Sequence, residues 1–237
     1  MTSSTVPPTT GAVRRWLIFI CGVCTMAVGI ALSVHGQLGT APISTFPVVI
    51  GTATSWSVGT VTAAMNIVFV GIQALILGRQ FPLFQLIQLP VAVLFGTVID
   101  LSLFLTRWAE TDTYLLQWVV TIIGAITLGV GVYIQVQPKL LYLPGEGLVM
   151  ALTQASAVRF GTMKQLVDWS LVVISAVLSL SLMQQLVGVR EGTVFAAFAV
   201  GGVVKAIGSS RQRKLDGAVL QRTAPVRAEP FTKHKNV

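Results

Sequence analysis

Charge is scarce in this chain. Only 10% of its 237 residues are Asp, Glu, Lys or Arg, and the mean hydropathy is +0.80. A soluble domain carries roughly 25% charged residues. The deficit runs along the whole sequence, which excludes a soluble domain with one anchor. Cysteine is limited to Cys21 and Cys24, and histidine to His35 and His234. There is no His-x-x-x-His and no Gly-x-Ser-x-Gly pattern, so an intramembrane enzyme is not expected. No G-x-x-x-x-G-K-[ST] occurs either. ATP hydrolysis by a P-loop is excluded, and any such energy must come from a separate subunit. The C-x-x-C spacing of Cys21 and Cys24 suggests redox or metal chemistry in a soluble protein. Within an apolar span, with no third ligand, it reads as small residues on one helix face. No metal or other cofactor is expected.

Long apolar runs are present instead. Six stretches, near 16–35, 58–78, 84–106, 115–136, 162–184 and 192–208, are long enough to cross the bilayer. A helix needs about 20 residues for that. Each must be helical, because an isolated strand leaves its backbone unpaired in lipid. Arg14-Arg15 before the first run imitate a signal peptide, but the run is of full length and is expected to stay. The net charge of +8 is not a nucleic-acid signal, because seven of the 16 basic residues lie after Gly208. Residues 209–237 are expected to be a basic, disordered cytoplasmic tail near anionic lipid heads. Residues 1–13 are expected to be disordered too.

The sequence carries one membrane unit twice. At an offset of 102 positions Trp16 falls on Trp118, Gly22 on Gly124, Gly29 on Gly131 and Pro42 on Pro144. Gly59-Thr60 then falls on Gly161-Thr162, and Asn66 on Asp168. After a slip of three, Gly96 falls on Gly201 and Asp100 on Lys205. The expected fold is an all-α polytopic bundle of two tandem repeats, 14–107 and 115–208, joined by a linker at 108–114. Each repeat holds three long spans and one short helix. The short segments, 39–55 and 141–158, open on Pro42 and Pro144, which suit a first helical turn. If they dip and return, there are six spans and the repeats are inverted. If they cross, there are eight spans and the repeats are parallel. The positive-inside bias favours inversion, with Arg14, Arg15, Arg79, Lys139, Arg159 and Lys164 on the cytoplasmic side. Both termini are cytoplasmic in either case.

Polar groups inside the spans are the candidate site. Asp100 and Lys205, equivalent and of opposite sign, suggest an ion pair that couples the halves; alternatively Lys205 snorkels to the interface. Glu146, flanked by Gly145 and Gly147, is a candidate cation or proton site, or a capping carboxylate. Asn66 and Asp168 either hydrogen-bond a substrate or fix helix contacts. Ser44 and Thr45 complete the proposed substrate shell, and Gln73 and Gln154 are further candidates for its lining. Gly59 and Gly161, like Gly22 and Gly29, read as close helix contacts. His35 reads as an interfacial polar residue or a pH sensor. Trp56, Trp108, Trp118 and Tyr114 read as interfacial anchors.

Gly39-Thr40-Ala41-Pro42, then Ser57-Val58-Gly59-Thr60, Asn66 and Gly96-Thr97-x-x-Asp100 resemble the bacterial YczE/YyaS/YitT-like membrane proteins, closest to the YczE-like branch. The resemblance covers roughly 14–208. It implies an integral membrane protein, in a largely uncharacterised family whose members are usually described only as integral membrane proteins or presumed transporters, and gives no substrate. The second unit departs from the first, with Pro-Gly-Glu-Gly in place of Pro-Ile-Ser-Thr. The expected function is a secondary transporter or permease of a small solute in the bacterial plasma membrane. The alternatives are a permease or solute-binding subunit served by a separate ATPase, and a non-transporting membrane scaffold. The expected partners are the bilayer and an unidentified solute, with no nucleic acid; a homo-oligomer is compatible.

Overall fold

A computed structural model describes residues 11–156 and 158–223, with side chains through residue 207. Among the described residues every regular element is helical. The order is α1 (Ala12–His35), α2 (Pro42–Ala53), α3 (Val58–Leu77), α4 (Gln88–Leu105), α5 (Tyr114–Val136), α6 (Pro144–Ala155), α7 (Phe160–Met183) and α8 (Glu191–Thr223). Short 3-10 turns at 78–80, 83–87 and 107–109 flank α4. Among the described residues five helical segments are long and apolar enough to cross a membrane: Ala12–His35, Val58–Gln80, Leu83–Leu105, Tyr114–Val136 and Phe160–Met183. The sixth expected run, 192–208, lies within α8. That helix continues to Thr223, past the point where the tail was expected to begin. Residues 209–223 are rich in helix formers and the next proline is Pro225, so nothing local stops the helix at Gly208. Residues 1–10 and 224–237 of the expected disordered ends lie outside the described residues.

The outer surface is apolar. Leu17, Leu75, Leu101, Phe104, Leu115, Val173 and Phe198 are all exposed. In water so much exposed apolar surface is costly, whereas lipid tails solvate it. The buried core is built from Phe19, Val23, Ala27 and Ile30 of α1, with Phe95 and Ile99 of α4 and Ala125 and Leu128 of α5. Hydroxyls in the helices are satisfied locally. Thr25, Thr45, Thr62 and Thr97 each donate to the carbonyl one turn back. Such back-bonding keeps a hydroxyl from facing hydrocarbon unpaired; Thr121 of α5 and Thr153 of α6 are exceptions, each with a buried hydroxyl that has no partner.

The spine of the bundle is the pairing of α1 with α5. Gly22 lies against Gln135, Met26 against Gly131, Gly29 against Leu128 and Ser33 against Gly124. Numbers rise along α1 as they fall along α5, so the two helices are antiparallel. Only glycine permits this approach, since a Cβ on Gly29 would stand 2.4 Å from the Leu128 nitrogen. Between lipid-facing helices such close contact replaces the missing hydrophobic drive. Arg15 fixes one end of the pair by donating through Nε and Nη2 to the Pro138 carbonyl, at 3.1 and 2.6 Å.

Around this spine α4 packs on α1 and α8 on α5, while α2 packs on α7 and α6 on α3. α3 packs closely on α4. The corresponding pair, α7 and α8, is not among the packed pairs of the described residues. Two non-helical stretches, Leu38–Ala41 and Leu141–Leu143, lead into α2 and α6. Leu38–Ala41 is buried throughout, as are Leu141 and Leu143 at either end of the second stretch. Irregular backbone at membrane depth is tolerated only where protein or a cavity covers it.

Candidate functional site

The two short helices begin next to each other. Pro42 and Pro144 occupy their first turns, as expected, and the Ile43 side chain lies where a Cβ on Gly145 would have to go. Gly147 is equally constrained, with a Cβ there falling 2.5 Å from Gln73 Oε1. Gln73 is fully buried and donates to the Pro144 carbonyl at 3.0 Å and to Gln88 Oε1 at 3.2 Å. It anchors the start of α6 to α3 and does not line the cavity. Gln154 is exposed, away from it.

Beside this meeting point lies a cavity of about 630 Å³ to which all eight α-helices contribute. Its wall is mostly apolar, including Met26, Ile30, Met65, Phe95, Leu128 and Val132. Of the expected substrate shell, Glu146, Asp168, Asn66 and Ser44 line it, with Thr62, Tyr142, Lys164, Gln165 and Lys205. Thr45 does not. It is fully buried, and its hydroxyl donates back to the Ala41 carbonyl at 3.1 Å. A smaller cleft of about 100 Å³ continues between α7 and α8, sharing Pro42, Gln165, Asp168 and Ala197, and reaching Arg190.

The charged groups divide clearly. Glu146 Oε2 accepts from the Leu143 backbone N–H at 3.1 Å, so it caps the first turn of its own helix while facing the cavity. Lys164 and Asp168 form an ion pair one turn apart on α7. Asp100 is not paired with Lys205, contrary to expectation. Its Oδ1 accepts from Gly59 N at 2.7 Å, and its Oδ2 pairs with Ser57 Oγ at 2.5 Å. The carboxylate therefore sits on the N-terminus of α3, where free N–H groups and the helix dipole favour it. Gly59 and Gly96 are pressed together beneath it, since a Cβ on either would stand within 2.3 Å of the other's carbonyl oxygen. Lys205 stands on the cavity wall with no carboxylate in ion-pair range among the described residues. Gly161 and Gly201, the counterparts of Gly59 and Gly96, meet nothing within 4 Å of a built Cβ.

The remaining polar candidates have structural partners. His35 Nε2 donates to the Leu103 carbonyl at 3.0 Å, joining α1 to the end of α4. Cys21 and Cys24 are free thiols. Among the described residues no group of three or more His, Cys, Asp or Glu is placed to hold a metal ion. Trp56, Trp108 and Tyr114 are exposed, and Trp118 packs edge-on against Tyr114 and Phe195.

Comparison with known proteins agrees with the resemblance read from the motifs. Residues 13–209 match the model of a family described as "Family of unknown function (DUF6198)". The chain is 25% identical over 223 residues to the "Uncharacterized membrane protein YczE" of Bacillus subtilis (strain 168), covering 92% of this chain and 96% of that one. No solved structure matches.

Proposed function

The chain belongs to the DUF6198 family, the YczE-like membrane proteins, and from that premise we propose that it is a secondary transporter of a small solute, built from two inverted repeats in the plasma membrane. The observation that carries the reading is the cavity of about 630 Å³ at the meeting of the two short helices, closed by one helix seam and open at the equivalent one. Sites at the interface of repeats, formed by interrupted helices, are a recurring transporter plan.

The contacts along the spine support inversion. Under the 102-residue offset Gly22 corresponds to Gly124 and Gln135 to Ser33, so the Gly22–Gln135 and Ser33–Gly124 contacts are images of each other. Gly29–Leu128 and Met26–Gly131 form a second such couple. An antiparallel pair of equivalent helices is what a pseudo-twofold axis in the membrane plane would produce. Ile43 against Gly145, again equivalents, lies on that axis. α2 and α6 have 12 residues each. At ~1.5 Å per residue that is well short of ~30 Å of hydrocarbon. Each short segment then dips to the midplane and returns, giving six crossings with both termini cytoplasmic.

In this reading Glu146, Asp168, Asn66 and Ser44 surround the solute. Alternating access exchanges the seams: α7 closes on α8 through Gly161 and Gly201 while α3 parts from α4. Gly201 supplies the test, because its Cβ position is open and it faces the cavity. Purified wild-type protein is screened against small solutes by thermal shift, and hits are followed for uptake into proteoliposomes. Gly201→Trp is expected to fill the cavity, keep the fold and abolish uptake. Uptake unchanged in this variant would remove the cavity from the transport path.

A further inference from the structure

We propose that the cavity takes an organic anion with an apolar body, its anionic group lying between Lys205 and the first turn of α7. The inference rests on the cavity being the solute site, and concerns which solute it fits. Four charged side chains line the cavity. Lys164 and Asp168 neutralise each other, and Glu146 is held by its own helix N-terminus. Lys205 remains, with no carboxylate in range among the described residues.

The first half of the chain displays what belongs in that place. There, the equivalent of Lys205 is Asp100, and its carboxylate bridges α4 to the N-terminus of α3. In the second half Ser57 is replaced by Arg159, which offers no side-chain cap, and Asp100 by Lys205. Phe160, the first residue of α7, and Lys205 line the same cavity, and Gly161 and Gly201 meet nothing within 4 Å of a built Cβ. A carboxylate or phosphate supplied from outside satisfies both Lys205 and the α7 N-terminus, as Asp100 does for α3 in the first half. The surrounding wall is largely apolar, so the rest of the molecule is apolar too. The α2 helix also begins at the cavity and lacks the acidic residue that α6 carries, which adds to the preference for negative charge.

The experiment uses three probes with one body and different heads: 4-phenylbutyrate, 4-phenylbutylamine and 4-phenylbutanol. Their affinities are measured on the full chain in nanodiscs of zwitterionic lipid. The acid is expected to bind about tenfold or more tightly than the alcohol, the scale of one charge-assisted contact. Lys205→Met is expected to bring the acid down to the level of the alcohol and leave the alcohol unchanged. Lys205→Arg is expected to keep the preference. Tightest binding of the amine, no binding of the acid, or a preference that survives Lys205→Met would overturn the proposal. Replacing a tenth of the lipid by phosphatidylglycerol separates the sources of the anion. Competition with the acid marks a lipid headgroup as the occupant, and unchanged binding marks a free solute; both uphold the anion site. Binding that follows Lys205 without any uptake in proteoliposomes upholds the anion site and removes the transport reading. Uptake that ignores head charge and Lys205 does the reverse.

Discussion

Asp100 shows how a single side chain ties two helices together. Asp100 gives both oxygens to the start of α3, and Gly59 and Gly96 make room for it. Asp100→Ala leaves Gly59 N–H without its partner. The expected loss is about 1–3 kcal/mol, read as a lower midpoint of thermal unfolding in detergent. Lys205→Met breaks no ion pair among the described residues and is expected to leave the midpoint in place. An ion pair between the two residues would instead make both variants unstable, which the same melts would reveal. The glycines of the spine are less forgiving. Gly29→Leu forces a side chain into the backbone of α5 and is expected to cost at least the ~1–3 kcal/mol of an overpacked core, whereas Gly161→Ala is expected to be neutral. Both are checked by the yield of monodisperse protein after extraction.

At the scale of the element, α6 is a short helix that carries its own cap. Glu146 reaches back to the Leu143 N–H, so Glu146→Ala is expected to destabilise by about 0.5–2 kcal/mol, while Glu146→Gln keeps an acceptor and the fold. A loss of uptake in Glu146→Gln without a loss of stability would assign its charge to the solute or the coupling ion. The start of α6 was legible from Pro144, and so was the cap as one of two readings of Glu146. The long helices were legible from their apolar runs. The partner of Asp100 was not. The sequence offset proposed Lys205 because the two positions align, but alignment of two positions does not imply contact. The partner is a backbone N–H of the adjacent helix, and a sequence shows no signal for that. Thr45 was misplaced for a similar reason: apolar residues surround most of these helices, so no amphipathic stripe tells which hydroxyl faces inward. α8 runs to Thr223, into the segment whose polarity suggests disorder.

For the whole molecule, topology is the feature on which the transport reading depends. Single cysteines at Ser57 and Arg159, in a chain lacking Cys21 and Cys24, are labelled in intact cells with an impermeant maleimide. Six crossings predict labelling at 57 alone. Reaction of neither site until the cells are permeabilised would mean parallel repeats, against the antiparallel spine. The same logic extends to motion. Cysteines paired at Gly161 and Gly201 are expected to cross-link only when α7 approaches α8, and the yield is expected to rise when Asp100→Ala releases α3 from α4.

The reciprocal contacts of α1 and α5 carry an ancestral implication. Each glycine of one helix meets the counterpart of the residue that the other glycine meets, so the surface is complementary to its own image upside down. Under the inverted-repeat reading proposed above, a half-length polypeptide inserting in both orientations would find its mate in a copy of itself. Under the same reading the two halves part company where Asp100 of one aligns with Lys205 of the other, and only the seam beside Asp100 is closed.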